Sequence, residues 1–119
     1  MKVVLVAISA ALLFLVMASC TTNKGSFVLV NKAKETIARA VVIVCEQTIE
    51  FQAIQPTTST SASYKVQSDS HYDVKVEFGS GKRLHKEIGY VTNGVDFHHE
   101  MIVTDNDIDI SDINNSRLK

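Results

Sequence analysis

The most regular pattern in the chain lies between Tyr72 and Phe78, where Tyr72, Val74, Val76 and Phe78 alternate with Asp73, Lys75 and Glu77. Period-two alternation with one charged face predicts a strand of an antiparallel sheet, packed on one side and wet on the other. Shorter versions of the same pattern flank it. Phe27-Val28-Leu29-Val30 is a brief apolar run, Thr36 to Cys45 is rich in β-branched residues, and Glu46 to Ile54 alternates through Thr48, Ile49, Phe51 and Gln52. Downstream, Leu84, Lys86, Ile88, Tyr90 and Val91 predict a return strand, Phe97 to Val103 another, and Asp107-Ile108-Asp109-Ile110 alternates briefly. Residues 33–40 also have a helical reading through Ala33, Ala38 and Ala40, but the continuation into Val41-Val42-Ile43-Val44 favours a strand.

Turn residues divide these runs. Gln55-Pro56-Thr57-Thr58-Ser59 punctuates because proline pre-sets a turn and lacks a ladder donor. Gly79-Ser80-Gly81-Lys82 makes a tight connection, and Asn93-Gly94 tolerates the positive φ of a hairpin turn. The hydroxyl-rich stretch from Thr57 to Ser63 reads as a solvated loop running into a strand, with an edge strand or a ligand-facing loop as the other readings. Seven or eight short strands at this spacing predict an all-β fold, a small antiparallel β-sandwich of immunoglobulin-like size. The Cys…Trp…Cys core of true immunoglobulin domains is absent, since the chain has no tryptophan. A small antiparallel barrel is the alternative that periodicity leaves open. On this reading the domain occupies residues 27–110, after a tether at 20–26 and before a disordered tail at 111–119.

The first residues follow a different rule. After Lys2, Val3 to Met17 is a run of fifteen residues without a charge, followed by Ala18, Ser19 and Cys20. A spanning helix needs about 20 apolar residues, so the run is short for a membrane crossing. A basic start, an apolar stretch of this length and small residues at its end describe a secretory signal. Met17-Ala18-Ser19-Cys20 resembles the lipobox of bacterial lipoproteins, with Met17 where leucine is commoner. The resemblance covers residues 2–20 and implies a signal peptide at 1–19 and cleavage between Ser19 and Cys20. It also implies diacylglyceryl attachment to the Cys20 sulfur and, in many bacteria, a further acyl chain on its amine. Two or three chains give firm anchoring, whereas one binds a bilayer only marginally. Thr21 stands where an aspartate would signal inner-membrane retention in enteric-type lipoproteins. In a Gram-negative host the resemblance therefore implies an outer-membrane lipoprotein facing the periplasm. The mature chain would hold 100 residues at net charge −2, one basic residue fewer than the −1 of the whole.

Composition adds exclusions. Twelve basic against thirteen acidic residues give no charge excess for binding nucleic acid. One proline, five glycines and two cysteines exclude collagen-like, Pro-rich and disulfide-dense classes. With Cys20 lipidated, Cys45 has no partner, and its place at the end of Val41-Val42-Ile43-Val44 suits a buried, inert thiol. Intermolecular pairing or a redox role is the other reading, and without lipid a Cys20–Cys45 bridge becomes the competitor.

Catalytic chemistry has no visible constellation. No Gly-x-Ser-x-Gly elbow or phosphate-cradling loop occurs, so no catalytic residue, enzyme activity or cofactor beyond the Cys20 lipid is expected. Asp105, Asp107 and Asp109 match the opening of a calcium loop, but Ile110 stands where such a loop needs glycine and Ser116 where it needs a bidentate glutamate. The competing reading is a strand with Ile108 and Ile110 inward and Asp107 and Asp109 in water. His98 and His99, adjacent on a strand, face opposite sides and cannot chelate one ion together; His71 and His85 stand apart, with no zinc-like spacing. Gly79-Ser80-Gly81 is faintly similar to the Ser- and Gly-rich loop that some small lysozyme-inhibitor lipoproteins insert into their target. Asn114-Asn115-Ser116 fits a glycosylation sequon that carries no weight in a bacterial chain. The expectation is a lipid-anchored, non-catalytic binding or structural module of the envelope with a protein partner. The alternatives are a small-ligand or calcium-binding lipoprotein and an inhibitor of a lytic enzyme.

Overall fold

A computed structural model describes residues 23–113. Eight strands follow in chain order: β1 (Asn23–Asn31), β2 (Ile37–Val44), β3 (Gln47–Ile54), β4 (Ser59–Val66), β5 (Ser70–Phe78), β6 (Arg83–Val91), β7 (Phe97–Val103) and β8 (Ile108–Asp112). They form two four-stranded sheets, ordered β4-β1-β7-β8 and β3-β2-β5-β6, packed face to face as a β-sandwich. One pairing departs from the antiparallel expectation: β1 and β7 run parallel, with Phe27 opposite His99 and Leu29 opposite Met101. Such a long-range pairing has no local signature.

Inner faces build the core from the alternate positions of each strand. Phe27, Leu29, Met101, Val103 and Ile108 from the first sheet meet Val42, Val44, Tyr72, Val74, Val76 and Phe78 from the second. Phe27 sits at the centre, edge-on to Tyr72 (centroids 5.8 Å, planes 73° apart) and to Phe51 (6.0 Å, 83°), the geometry aromatic quadrupoles prefer. The β1–β2 connection crosses between sheets and is fixed by the buried Asn31. Its amide donates to the carbonyls of Glu35 and Ile54, both at 2.9 Å, and its oxygen accepts from the Ala33 amide at 2.9 Å. Three hydrogen bonds offset the cost of burying this amide and fix the path of the connection.

Three boundaries differ from the sequence reading. Strand β1 begins at Asn23, inside the segment read as tether, because Gly25 pairs across to Tyr64 and Lys24 to Lys65 although neither adds apolar pattern. Strand β4 begins at Ser59, within the stretch read as loop; its serines pair with β1 backbone while only Tyr64 and Val66 are buried. Strand β8 runs to Asp112, two residues past the domain end expected at 110. The signal peptide, Cys20 and residues 114–119 lie outside the described residues.

Turns follow their φ requirements even where composition does not. Cys45 (φ 48°) and Glu46 (φ 62°) form the two-residue loop of the β2–β3 hairpin, both in the left-handed region as a type I′ turn demands. Pro56 and Thr57 (φ 67°) form a turn closed by the Thr58 amide donating to the Gln55 carbonyl at 3.2 Å.

Side chains latch both seams where sheet edges meet. Between β3 and β4, the Gln47 amide donates to the Lys65 carbonyl at 2.7 Å and accepts from the Lys65 amide at 3.1 Å, imitating a ladder pair. Between β6 and the β7–β8 connection, Lys86 Nζ reaches Asp107 at 3.0 Å, and Lys82 Nζ reaches the Asp105 carbonyl at 2.6 Å and Asn106 at 2.7 Å. Covering edges with charges in this way blunts strand-to-strand association.

Candidate binding face

The outward positions of the β3-β2-β5-β6 sheet lie in register rows. One row runs Glu50–Val41–Lys75–His85, the next Gln52–Arg39–Glu77–Arg83, and the third Thr48–Ile43–Asp73–Glu87. This is the charged side of the Tyr72–Phe78 alternation, extended over four strands. Side-chain contacts stitch it across strands: the ion pairs Arg39 Nε to Glu50 at 2.6 Å and Arg83 Nε to Glu77 at 3.8 Å, with His85 Nε2 2.5 Å from Asp73 and His71 Nε2 3.7 Å from Glu87. The Arg39 hydrogen bond holds the Glu50 carboxyl below its usual range, and Glu50 in turn raises the Arg39 guanidinium. Such exposed pairs contribute little stability each but fix where the charges stand.

Within this face lies an open hollow of about 390 Å³ lined by Arg39, Val41, Lys75, Glu77, Arg83, Leu84 and His85 among others. Its floor is aliphatic, and three cations stand around it. Lys75, exposed at its centre on β5, has no ion pair among the described residues. Arg39 and Arg83 stand in the next row on either side of Glu77, each already paired with a carboxylate, so Lys75 is the cation of this hollow left to meet a carboxylate on a docking partner. A second hollow of about 380 Å³ opens at the start of β1, lined by Lys24, Gly25, Ser26, Ser63, Asp96, Phe97 and His98. There the Asn23 side chain and the Lys24 amide both donate to Asp96 Oδ1 at 2.9 Å, holding that carboxyl below its ordinary range.

The residues singled out in the sequence take other places. Asp105 accepts the Lys34 amide at 2.8 Å, Asp107 pairs with Lys86, and Asp109 lies 4.0 Å from the same ammonium. The three carboxylates thus face lysines and a backbone donor, and the Lys86 hydrogen bond lowers the Asp107 carboxyl. Among the described residues, no group of three or more His, Cys, Asp or Glu side chains is placed to hold a metal ion. His98 points outward to Ser26 Oγ while His99 is buried, on opposite sides of β7. The Gly79–Lys82 tip is tied down, with the Gly79 amide donating to the Thr36 carbonyl at 3.0 Å and the Ser80 amide to Glu35 at 3.1 Å. Cys45 is buried, and its thiol donates to the Ser68 carbonyl at 3.4 Å.

A polar chain inside the core escaped the sequence reading. Tyr64 Oη and Tyr72 Oη lie 2.5 Å apart, and Tyr72 Oη lies 2.8 Å from His99 Nδ1. Burial pushes both phenols up and the His99 imidazole down, so all three are neutral near pH 7. The signal available was weak: Tyr72 and His99 occupy inward positions of their alternations, and an inward histidine or phenol needs a buried partner.

No protein-family model and no curated protein matches the sequence. Among solved structures, an NMR structure of a protein from Eubacterium rectale is similar at 13% identity with a TM-score of 0.55, covering 76% of this chain and 89% of that one. Pneumolysin is similar at 10% identity with a TM-score of 0.40, covering 76% of this chain and 23% of its own. The first of these likenesses shows a shared fold and nothing narrower.

Proposed function

We propose that this protein is a bacterial envelope lipoprotein, lipidated at Cys20 after cleavage behind Ser19, whose β-sandwich is a non-catalytic binding module for an envelope protein. The Met17-Ala18-Ser19-Cys20 resemblance supports the anchor, and in a Gram-negative host Thr21 favours the periplasmic side of the outer membrane. The observation that supports the binding role is the hollow over Val41, where Lys75 stands unpaired between Val41 and His85, one row from the paired Arg39 and Arg83. A cation at a central strand position, left uncompensated while its neighbours are paired, is what a surface awaiting an acidic partner presents. A photo-cross-linking residue at position 41, introduced in living cells, tests this. A single protein adduct that diminishes in Lys75→Glu and in Cys20→Ala is expected. Equal adducts in wild type and both variants would remove the reading.

A further inference from the structure

Several elements converge at the end of the sandwich where β1 begins. Asn23 starts β1 opposite Val66, the last residue of β4. The Cys45 amide of the β2–β3 turn donates to Ser70 Oγ at the start of β5 at 3.0 Å. The β4–β5 and β6–β7 connections are joined by the Asn93 amide donating to Asp69 Oδ1 at 2.7 Å, and Asp96 of the latter holds Asn23 and Lys24.

The large apolar or aromatic side chains left exposed among the described residues are at this same end: Tyr90, 63% exposed, and Val95, 48% exposed. Tyr90 is the penultimate residue of β6, and Val95 follows Gly94 (φ 91°) in the next connection, directly before Asp96. A tyrosine presents an apolar ring with a polar tip, the form suited to a membrane–water interface. Charges at this end are mixed: Lys24 and Lys65 beside Glu46, Asp69 and Asp96, with Asp69 and Asp96 already engaged as acceptors.

We infer that this end wall contacts the membrane, with Val95 and Tyr90 entering the headgroup boundary beside the lipid on Cys20. The inference rests on the proposed lipidation and adds an orientation to it. Three peptide units separate Cys20 from Asn23, and consecutive Cα atoms are about 3.8 Å apart, so Asn23 stays within about 11 Å of the anchored residue. A tether that short leaves little choice of which end faces the bilayer. The Gly79–Lys82 tip and the 104–107 connection, at the opposite end of the strands, then face away from it.

The test uses the full-length protein expressed with its signal, purified, and reconstituted into vesicles of phosphatidylethanolamine and phosphatidylglycerol at three to one. A polarity-sensitive fluorophore is placed on Val95→Cys and, separately, on Ser80→Cys, Cys45 being buried. The Val95 probe is expected to shift to the blue and to be quenched by lipid-borne nitroxide, with neither change at Ser80. Mass measurement of the N-terminal peptide separates the two ways of failing. A chain without lipid on Cys20 overturns the functional reading and this inference together. A lipidated chain whose Val95 probe behaves like the Ser80 probe overturns this inference alone.

Discussion

The outer face of the β4-β1-β7-β8 sheet sets Ser59, Ser61 and Ser63 beside Val30, Val28 and Ser26, with Ile102 next to Val30, whereas the other sheet's outer face is a lattice of ion pairs. Both sheets rest on one core, yet they fix their registers differently. On the charged face, opposite charges on neighbouring strands favour one alignment, since a slip would bring like charges together. On the hydroxyl face the serines of β4 opposite β1 discriminate little between alignments, so the β1–β4 register is set from within, where Tyr64 covers Gly25 and joins Tyr72 and His99.

The sharpest way to break this contrast is at Gly25. A Cβ there would overlap the Tyr64 ring, and Gly25→Val is expected to cost about 3 kcal/mol as overpacking against a ring with no room to move, read from the urea midpoint. Next comes Tyr72→Phe, which leaves the Tyr64 hydroxyl and His99 Nδ1 short of a partner and is expected to cost about 1–3 kcal/mol. The same network gives the first sheet a pH response. Burial lowers the folded-state pKa of His99 below its unfolded value near 6.5, so the unfolded chain binds the proton more readily. The full contribution is present above about pH 6.5 and is lost as pH falls through the lower folded value. Melting temperature against pH should therefore decline on the acid side, and His99→Gln should flatten that decline.

Smaller effects sharpen the contrast. Thr57, a β-branched residue at φ 67°, carries a left-handed penalty that glycine does not, so Thr57→Gly is expected to stabilise by about 1 kcal/mol in the same urea titration. Lys86→Gln, which opens the seam to Asp107, should give the smallest change in melting temperature, and that change should vanish in high salt.

How much could be read from the chain follows from the same contrast. Strand β5 was legible because Asp73, Lys75 and Glu77 are polar enough against Tyr72, Val74, Val76 and Phe78 to make period two unmistakable. Strand β4 was not, because serine and alanine on alternate sides of an edge strand differ little in hydropathy and suit a loop as well. The Cys45–Glu46 hairpin was hidden for a different reason: its backbone needs positive φ, but neither residue is of the kind that announces it. The candidate face was half legible. Lys75 and its neighbours on β5 could be placed outward, but their juxtaposition with Arg39, Val41 and Arg83 depends on register across β2 and β6, which no local pattern carries.

The parallel pairing of β1 with β7 also sets the order of events when the chain folds. Ser26 finds its neighbour His98 only 72 residues later, and both partners of β1 lie beyond the second sheet's first strands. Closing so large a loop must precede the contacts that reward it, which places the protein among the slow, non-local β folders of the millisecond-to-second range. Until β7 is made, the first sheet has only its β4–β1 pair. The strand that completes the centre of the first sheet is thus the seventh of eight, and it comes after every strand of the second sheet.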